Sequence, residues 1–442
     1  MKTLAPSSEA QALHQHLLAS FEKLEKQVAA SDTPFLRRLR SSAIARFSTQ
    51  GFPTTRDEEW RFTPLNTLYQ QKYSLCQPPT VLADQLPILL PEVLPLVVVD
   101  GVVDTSLSQF DKWPKGCTIL RLHDALKSMP QLVEGALGRL ANTPEATTWA
   151  ALNAAFLQDG IVIHLPKECV LAWPIHISWL ESASGVMSFP RLLLVAEQHS
   201  QATLIETCSS LGEQPDFTCS VSEFILAEGA RLDHYRLNDV HASSQHFTTQ
   251  HVTQQRDSNF RSHAFTLGGG LVRNDLHAHL SAQNCEATLN GLYIADGNRL
   301  VDNHTSIDHV QPHCNSHEIY KGILRDRGRG VFNGKIFVRQ DAQKTNAKQT
   351  NQTLLLSPDA SIDTKPQLEI FADDVKCTHG ATVGQLDGDM QFYLRSRGIP
   401  QEQAEIILTY AFANDLISKV QVDSLRDLLE HRFLNQDEDR LA

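Results

Sequence analysis

Hydrophobic and polar positions change their period twice along this chain. In the first part, up to about residue 75, apolar positions recur at helical spacing: Leu13, Leu17, Leu18, Phe21 and Leu24 form one stripe. Pro34 opens a second helical segment that runs through Phe47, and Gly51 and Pro53 end it. After a Pro-rich stretch, residues 120–140 and 148–157 again read as helix, with Leu122, Ala125, Leu126 and Met129 three and four apart. From Gly160 the period falls to two, as in Ile161, Ile163 and Leu165, then Ile175, Ile177 and Trp179. Beyond Asp387 helical spacing returns: Pro400 suits a first turn, and Ile406, Tyr410, Ala413, Ile417 and Val420 share a face. Ser424 reads as the N-cap of a last helix bearing Leu425, Leu428, Leu429 and Phe433. Three regions are expected: a mostly helical N-terminal domain (1–158), a β core (159–385) and a helical C-terminal domain (386–442).

Within the β region, loosely similar turns (HSQATL, EGARLD, DSNFRS, NCEATL) precede apolar residues at Ile175, Leu204, Leu232, Phe260 and Leu289, separated by 29, 28, 28 and 29 residues. A repeat of this length suggests a parallel β-solenoid. Regular hairpins in an antiparallel meander or sandwich would give the same spacing.

Composition narrows the function classes. The chain has 442 residues, 41% of them apolar, and a formal net charge of -12, which argues against a general nucleic-acid or anionic-membrane surface. The apolar run over 86–99 is broken by Pro87, Pro91, Pro95 and Glu92 and cannot span a membrane as a helix. The N-terminus mixes Glu, Lys and His among its apolar residues, unlike a secretory signal, so a cytoplasmic location is expected. Eight cysteines, at 76, 117, 169, 208, 219, 285, 314 and 377 with no CxxC, read as reduced and mostly buried.

The sharpest chemical signal is Cys377 with His379 in KPQLEIFADDVKCTHGATVGQLD. Two residues apart on a strand, the thiol and imidazole share a face. Both suit iron, zinc or copper(I), yet two ligands fall short of a closed site, so the pair reads as half of one. Glu369, Asp373 and Asp374 upstream add carboxylates; a buried thiol beside a hydrogen-bonded imidazole is the structural alternative. The segment 304–317, with His304, His309, His313, Cys314 and His317, invites a second reading as a self-contained zinc or iron enzyme. Pro312 disfavours the helix that would bring His309 and His313 together, and polar ladders of a solenoid account for the segment more simply. His277 and His279 share a face but have no evident third ligand. Lys335, Lys344 and Lys348 could line a cationic pocket or guard a sheet edge. Gly268, Gly269 and Gly270 read as a tight turn. No GxxxxGK[ST], GxSxG or HExxH is present, which argues against nucleotide binding by this chain and against two hydrolytic mechanisms. A solenoid that binds or cleaves polysaccharide is a third reading.

Longer motifs carry a resemblance. RDEEWRFTPL, VDNHTSIDHVQPHCNSHEIYKGIL, GVFNGKIFVRQDAQKTNAKQTNQTLLLS, DTKPQLEIFADDVKCTHGATVGQLD and FYLRSRGIP together resemble the SufB/SufD family of the SUF iron-sulfur cluster assembly machinery, on its SufD side. The resemblance implies a mainly β chain, a right-handed parallel β-helix flanked by N-terminal and C-terminal helical domains, and decides the solenoid question. It implies a non-catalytic scaffold that pairs with SufB through the β-helix and with the ATPase SufC through the C-terminal helices. It places Cys377 and His379 as a half-site at the SufB interface, where iron or a nascent cluster is held in transit. Flavin involvement and homodimer formation stay open.

Overall fold

Strand after strand, the chain from Arg191 to Gly384 alternates between two sheets, so that each strand pairs in parallel with the strand two after it until the two terminal strands are reached. The computed structural model describes residues 7–29, 32–75, 81–110, 114, 116–138, 147–182, 185–212 and 215–438, with side chains through Leu434. Cys76 and the end of the expected 120–140 helix lie outside these residues. The result is a parallel β-solenoid of about eight turns with helices at both ends of the chain.

The period-two pattern dictates this arrangement. Inward positions such as Leu204, Leu232, Phe260 and Leu289 are fully buried between the two sheets, and sequestering each stabilises the fold by about 1.5–3 kcal/mol. Two of the expected repeat steps are true register pairs, Ile175 with Leu204 and Leu232 with Phe260. The other two slip: Leu204 pairs with His234, and Phe260 with Ala287. A slip of two keeps side chains on the same face, which is why the pattern survives it.

One corner of each turn is built identically. Glu168, His199, Gly229, Asp257, Asn284, His313 and Lys344 all have positive φ, between 58° and 66°. The N–H of each donates to the next turn at 2.6–3.4 Å, as in His199 to Glu228 O, Asp257 to Gln283 O and His313 to Gln343 O. From His199 onward the residue after each corner points inward, giving a buried stack of Ser200, Ala230, Ser258, Cys285, Cys314 and Thr345. Gly268–Gly270 is a tight turn, as the sequence indicates, with Gly269 at φ 97° and Cβ atoms at Gly268 and Gly270 blocked by backbone.

Helices Ser8–Val28, Pro34–Gln50 and Thr148–Ala155 pack on the outer face of one sheet, through Leu13, Leu17, Phe21, Leu24, Phe47 and Trp149 against Phe217, Phe247 and Leu271. The expected 120–140 segment is a strand, Thr118–Arg121, followed by helices Leu122–Ser128 and Pro130–Ala136, because Pro130 cannot continue the first helix. Strands Leu94–Val99 and Val102–Asp104 extend the other sheet, so the interrupted apolar run is a buried strand. The C-terminal helices Gln401–Ile417 and Asp423–Glu438 fold back onto the second sheet, where Ala413, Leu416, Ile417, Val420, Leu425 and Phe433 meet Tyr235, Leu237, Phe265 and Leu292. Pro400 caps the first of these, and the second begins at Asp423, so Ser424 lies in its first turn. Among the described residues no helix is long and apolar enough to cross a membrane.

Candidate functional site

Cys377 and His379 lie on Lys376–Gly384, the last strand of its sheet, which pairs on one side only, with Asn346–Leu355. Their register partners are Ala347 and Gln349, both on inward columns. Both side chains therefore cap the open end of the solenoid interior. Lys376 N–H donates to Thr345 O, so in a parallel ladder the N–H groups of Cys377, His379, Ala381 and Val383 face the free edge. The strand thus offers ligand side chains at the bore and a row of donors outward.

The other sheet ends on Ser361–Ile370, paired only with Arg329–Val338. There Ser361 and Phe371 donate inward, which puts Ile362, Thr364, Pro366, Leu368 and Ile370 on the free edge. Pro366 has no N–H and interrupts that edge at its middle. Proline is tolerated on an edge strand for this reason, so the Lys-Pro-Gln-Leu run marks the terminal strand in the sequence itself.

Cys377 is half-buried against Ile336, Val338, Ala342 and Ala347, and this burial raises its thiol above the usual range, offset by the backbone hydrogen bond at Ala347. His379 is exposed. Beneath it on the same column, the Gln349 side-chain amide donates to Glu318 Oε2 at 2.7 Å. Glu318 is fully buried, and burial pushes its carboxyl up to about 7. Gly334 faces this amide: a Cβ there would overlap Gln349. Nothing in the order of residues marks Glu318, Gln349 and Gly334 as neighbours of the site; only the register of parallel strands brings them under His379.

The remaining candidates are dispersed. Of the upstream carboxylates, Asp374 pairs with Lys344, while Glu369 and Asp373 are exposed. His277 is half-buried and stacked on His251, centroids 4.5 Å apart, whereas half-exposed His279 meets Asp308 at 3.3 Å. His304 sits on the outer face between Asp302 Oδ1 (3.0 Å) and Glu59 Oε2 (3.3 Å). His309 points inward to Ser316 Oγ at 2.9 Å, and burial lowers it to about 4. His313 and His317 are exposed, and Cys314 lies under the turn. Lys335, Lys344 and Lys348 lie on three different surfaces, Lys335 held by Glu59, and form no common pocket. Among the described residues no three His, Cys, Asp or Glu side chains assemble into an arrangement that could hold a metal ion.

Past the terminal strand, helix Gly388–Ser396 buries none of its residues; Asp387 caps it through the N–H groups of Asp389 (2.8 Å) and Met390 (3.1 Å). It exposes Met390, Phe392 and Tyr393, and the ends of the two terminal strands expose Ile370, Phe371 and Val383. Apolar surface is concentrated in this part of the chain.

Comparison with known proteins agrees with this architecture. A family model described as the SufBD core domain of the SUF system for FeS cluster assembly matches residues 179–412, and one described as the SufBD protein N-terminal region matches residues 11–177. Similar proteins include an iron-sulfur cluster assembly SufBD family protein of Synechocystis, 31% identical and covering 92% of each chain. The iron-sulfur cluster assembly protein SufD of Escherichia coli is 33% identical over 85% of this chain and 87% of its own. SufD of Bacillus subtilis is 23% identical over 94% and 96%.

Proposed function

The chain belongs to the SufB/SufD family of the SUF iron-sulfur cluster assembly system, and we propose that it serves there as a SufD-type scaffold subunit whose Cys377 and His379 complete a metal or cluster site only with a partner. The observation that carries this reading is the position of the two side chains, at the mouth of the bore on a strand with an unpaired edge. Thiolate and imidazole supply two donors of the four that iron in a cluster or zinc takes. An unpaired edge invites a strand from another chain. A SufB subunit joining at this end would bring the missing donors and cover the exposed donors of Cys377, His379, Ala381 and Val383. Iron or the growing cluster is then cargo, held between two chains and released.

The C-terminal helices are assigned to the ATPase SufC. Met390, Phe392 and Tyr393 supply an apolar contact surface, and the helices Gln401–Ile417 and Asp423–Glu438 are anchored firmly enough to transmit movement. Lys321 Nζ donates to Phe412 O at 3.1 Å and pairs with Asp415 at 2.9 Å, and the Gln421 N–H donates to Tyr235 Oη at 3.1 Å. The chain itself carries no phosphate-binding loop motif, so ATP hydrolysis is left to the partner.

A self-contained metal enzyme built on residues 304–317 fits less well, since these side chains divide between the inner face, the outer face and a turn. The deciding experiment is His379→Ala in the co-expressed complex. Subunit assembly should be retained and iron and sulfide content reduced; normal content in the purified variant complex would refute the role.

A further inference from the structure

Cys285 and Cys314 occupy successive turns of the inward corner stack, and neither has a place in the proposed half-site. The N–H of Asn315 donates to Cys285 O at 2.9 Å, so the two cysteines sit side by side in the parallel ladder. Their Cα atoms are then one strand spacing apart, about 4.8 Å, inside the window of roughly 4.4–6.8 Å that a disulfide spans. Both sulfurs converge on one acceptor: Cys285 Sγ lies 3.1 Å and Cys314 Sγ 3.2 Å from Ala282 O. Both side chains are fully buried, yet each lies directly beneath an exposed corner residue, Asn284 or His313.

We propose that Cys285 and Cys314 are a modification site, a thiol pair that a peroxide closes into a disulfide stapling two consecutive turns of the solenoid. A metal site is disfavoured here, because two donors are too few for zinc or iron and no third His, Cys, Asp or Glu joins them among the described residues.

The two thiols are not equivalent. Cys285 is held below the usual thiol range by the hydrogen bond from Cys314, against the opposing effect of burial, while Cys314 is raised by the same contact. The thiolate is the reactive form, which makes Cys285 the nucleophile. Its sulfur attacks one peroxide oxygen, the O–O bond breaks, and the departing hydroxide takes up a proton as water, leaving a sulfenic acid at Cys285. Cys314 then loses its proton and attacks Cys285 Sγ; the S–O bond breaks and hydroxide leaves as a second water. Two thiols are oxidised to one disulfide and one peroxide is reduced to two waters. Cys117 and Cys169 are near enough to influence one another, but burial raises both thiols, Cys117 to about 12, which slows the same chemistry there.

The test is peptide mapping of the reduced full-length chain after treatment with equimolar hydrogen peroxide and alkylation under denaturing conditions. The expected product is a linked peptide joining Cys285 to Cys314 that dithiothreitol separates. With Cys314→Ser the reaction should halt at Cys285 as a sulfenic acid trapped by dimedone, and with Cys285→Ser no adduct should form at position 314. Serine is suited to this stack, which already holds Ser200 and Ser258. Recovery of both cysteines as free alkylated thiols, or cross-links only between other cysteines, would overturn the proposal.

Discussion

Glu59 and Lys335 form an ion pair across 276 residues of sequence, tying the N-terminal segment to the outer face of the solenoid near its open end. The same carboxylate accepts from Asn333 Nδ2 at 3.0 Å and meets His304 Nδ1 at 3.3 Å. Around it, Arg273 stacks over the Trp60 ring at 3.8 Å and donates to Glu59 O at 2.7 Å, Thr63 donates to Asp302 at 2.6 Å, and Glu58 pairs with Lys365 on the terminal strand. Residues 58–63 therefore act as a strap across four neighbouring strands. Because its last contact reaches the strand next to Cys377 and His379, the strap braces the end at which a partner is proposed to bind.

The strap should weaken in acid. Burial alone would raise the Glu59 carboxyl, but the hydrogen bonds and charges of His304 and Lys335 outweigh it and hold the group at about 2. A folded-state pKa below the unfolded value stabilises above about 4.5 and loses that contribution as pH falls toward 2. Solvent screening of a side chain 39% exposed limits the effect to about 1 kcal/mol. Glu59→Gln should lower the free energy of urea unfolding at neutral pH by that amount and flatten the acid limb of the stability curve. An unchanged acid limb would show that Glu59 is not the group responsible.

Glu318 should act in the opposite direction. Its carboxyl is pushed up to about 7 by full burial, so the folded chain holds a proton that the unfolded chain has released above about 4.5. The contribution is fully present below that value and is lost as pH rises to 7, on the order of 3 kcal/mol in all. Glu318→Gln keeps the shape and the neutral state, and should gain stability relative to the wild type between about pH 5 and about pH 8. A constant difference between the two proteins across that range would sink the assignment.

Gly334 leaves the space that Gln349 uses to reach Glu318. Gly334→Val should force the amide aside and overpack the bore, costing about 1–3 kcal/mol. Truncating Gln349 to Ala in the same chain should recover part of the loss. The double-mutant comparison checks this directly, because two independent costs would simply add.

The fold was legible where it rests on period two, and the site where it rests on neighbours in sequence. Ile175, Leu204, Leu232 and Phe260 kept a repeat that suggests a solenoid, which the family resemblance then decided, because a slip of two residues between turns leaves the inward face unchanged. That tolerance hides the register, since the separation between paired residues varies from 26 between His251 and His277 to 32 between Lys335 and Gln367. Cys377 and His379 could be placed on one face, but Gln349 and Glu318 beneath them could not. Nor could the strap be read from the chain: Glu59 resembles any surface carboxylate until sheet pairing sets His304, Asn333 and Lys335 beside it.

The terminal strand offers the most direct test of partner binding. Ala381 points its N–H to the free edge, while Gly380 and Thr382 on either side pair with Thr350 and Gln352 within the sheet. Ala381→Pro removes an outward donor without removing one that the isolated chain uses, and proline is tolerated on an edge strand in that orientation. The thermal midpoint of the isolated chain should therefore change little. Each hydrogen bond at such an edge contributes about 0.5–1.5 kcal/mol net, and the ring also obstructs close approach of a second strand. Affinity for a SufB-type partner should fall by roughly tenfold or more, measured by titration calorimetry with the wild type alongside. Thr382→Pro is the control, since its N–H faces inward and its loss should destabilise the chain itself. If Ala381→Pro binds as tightly as the wild type, the partner does not add to this edge, and Cys377 and His379 must find their remaining ligands by another route.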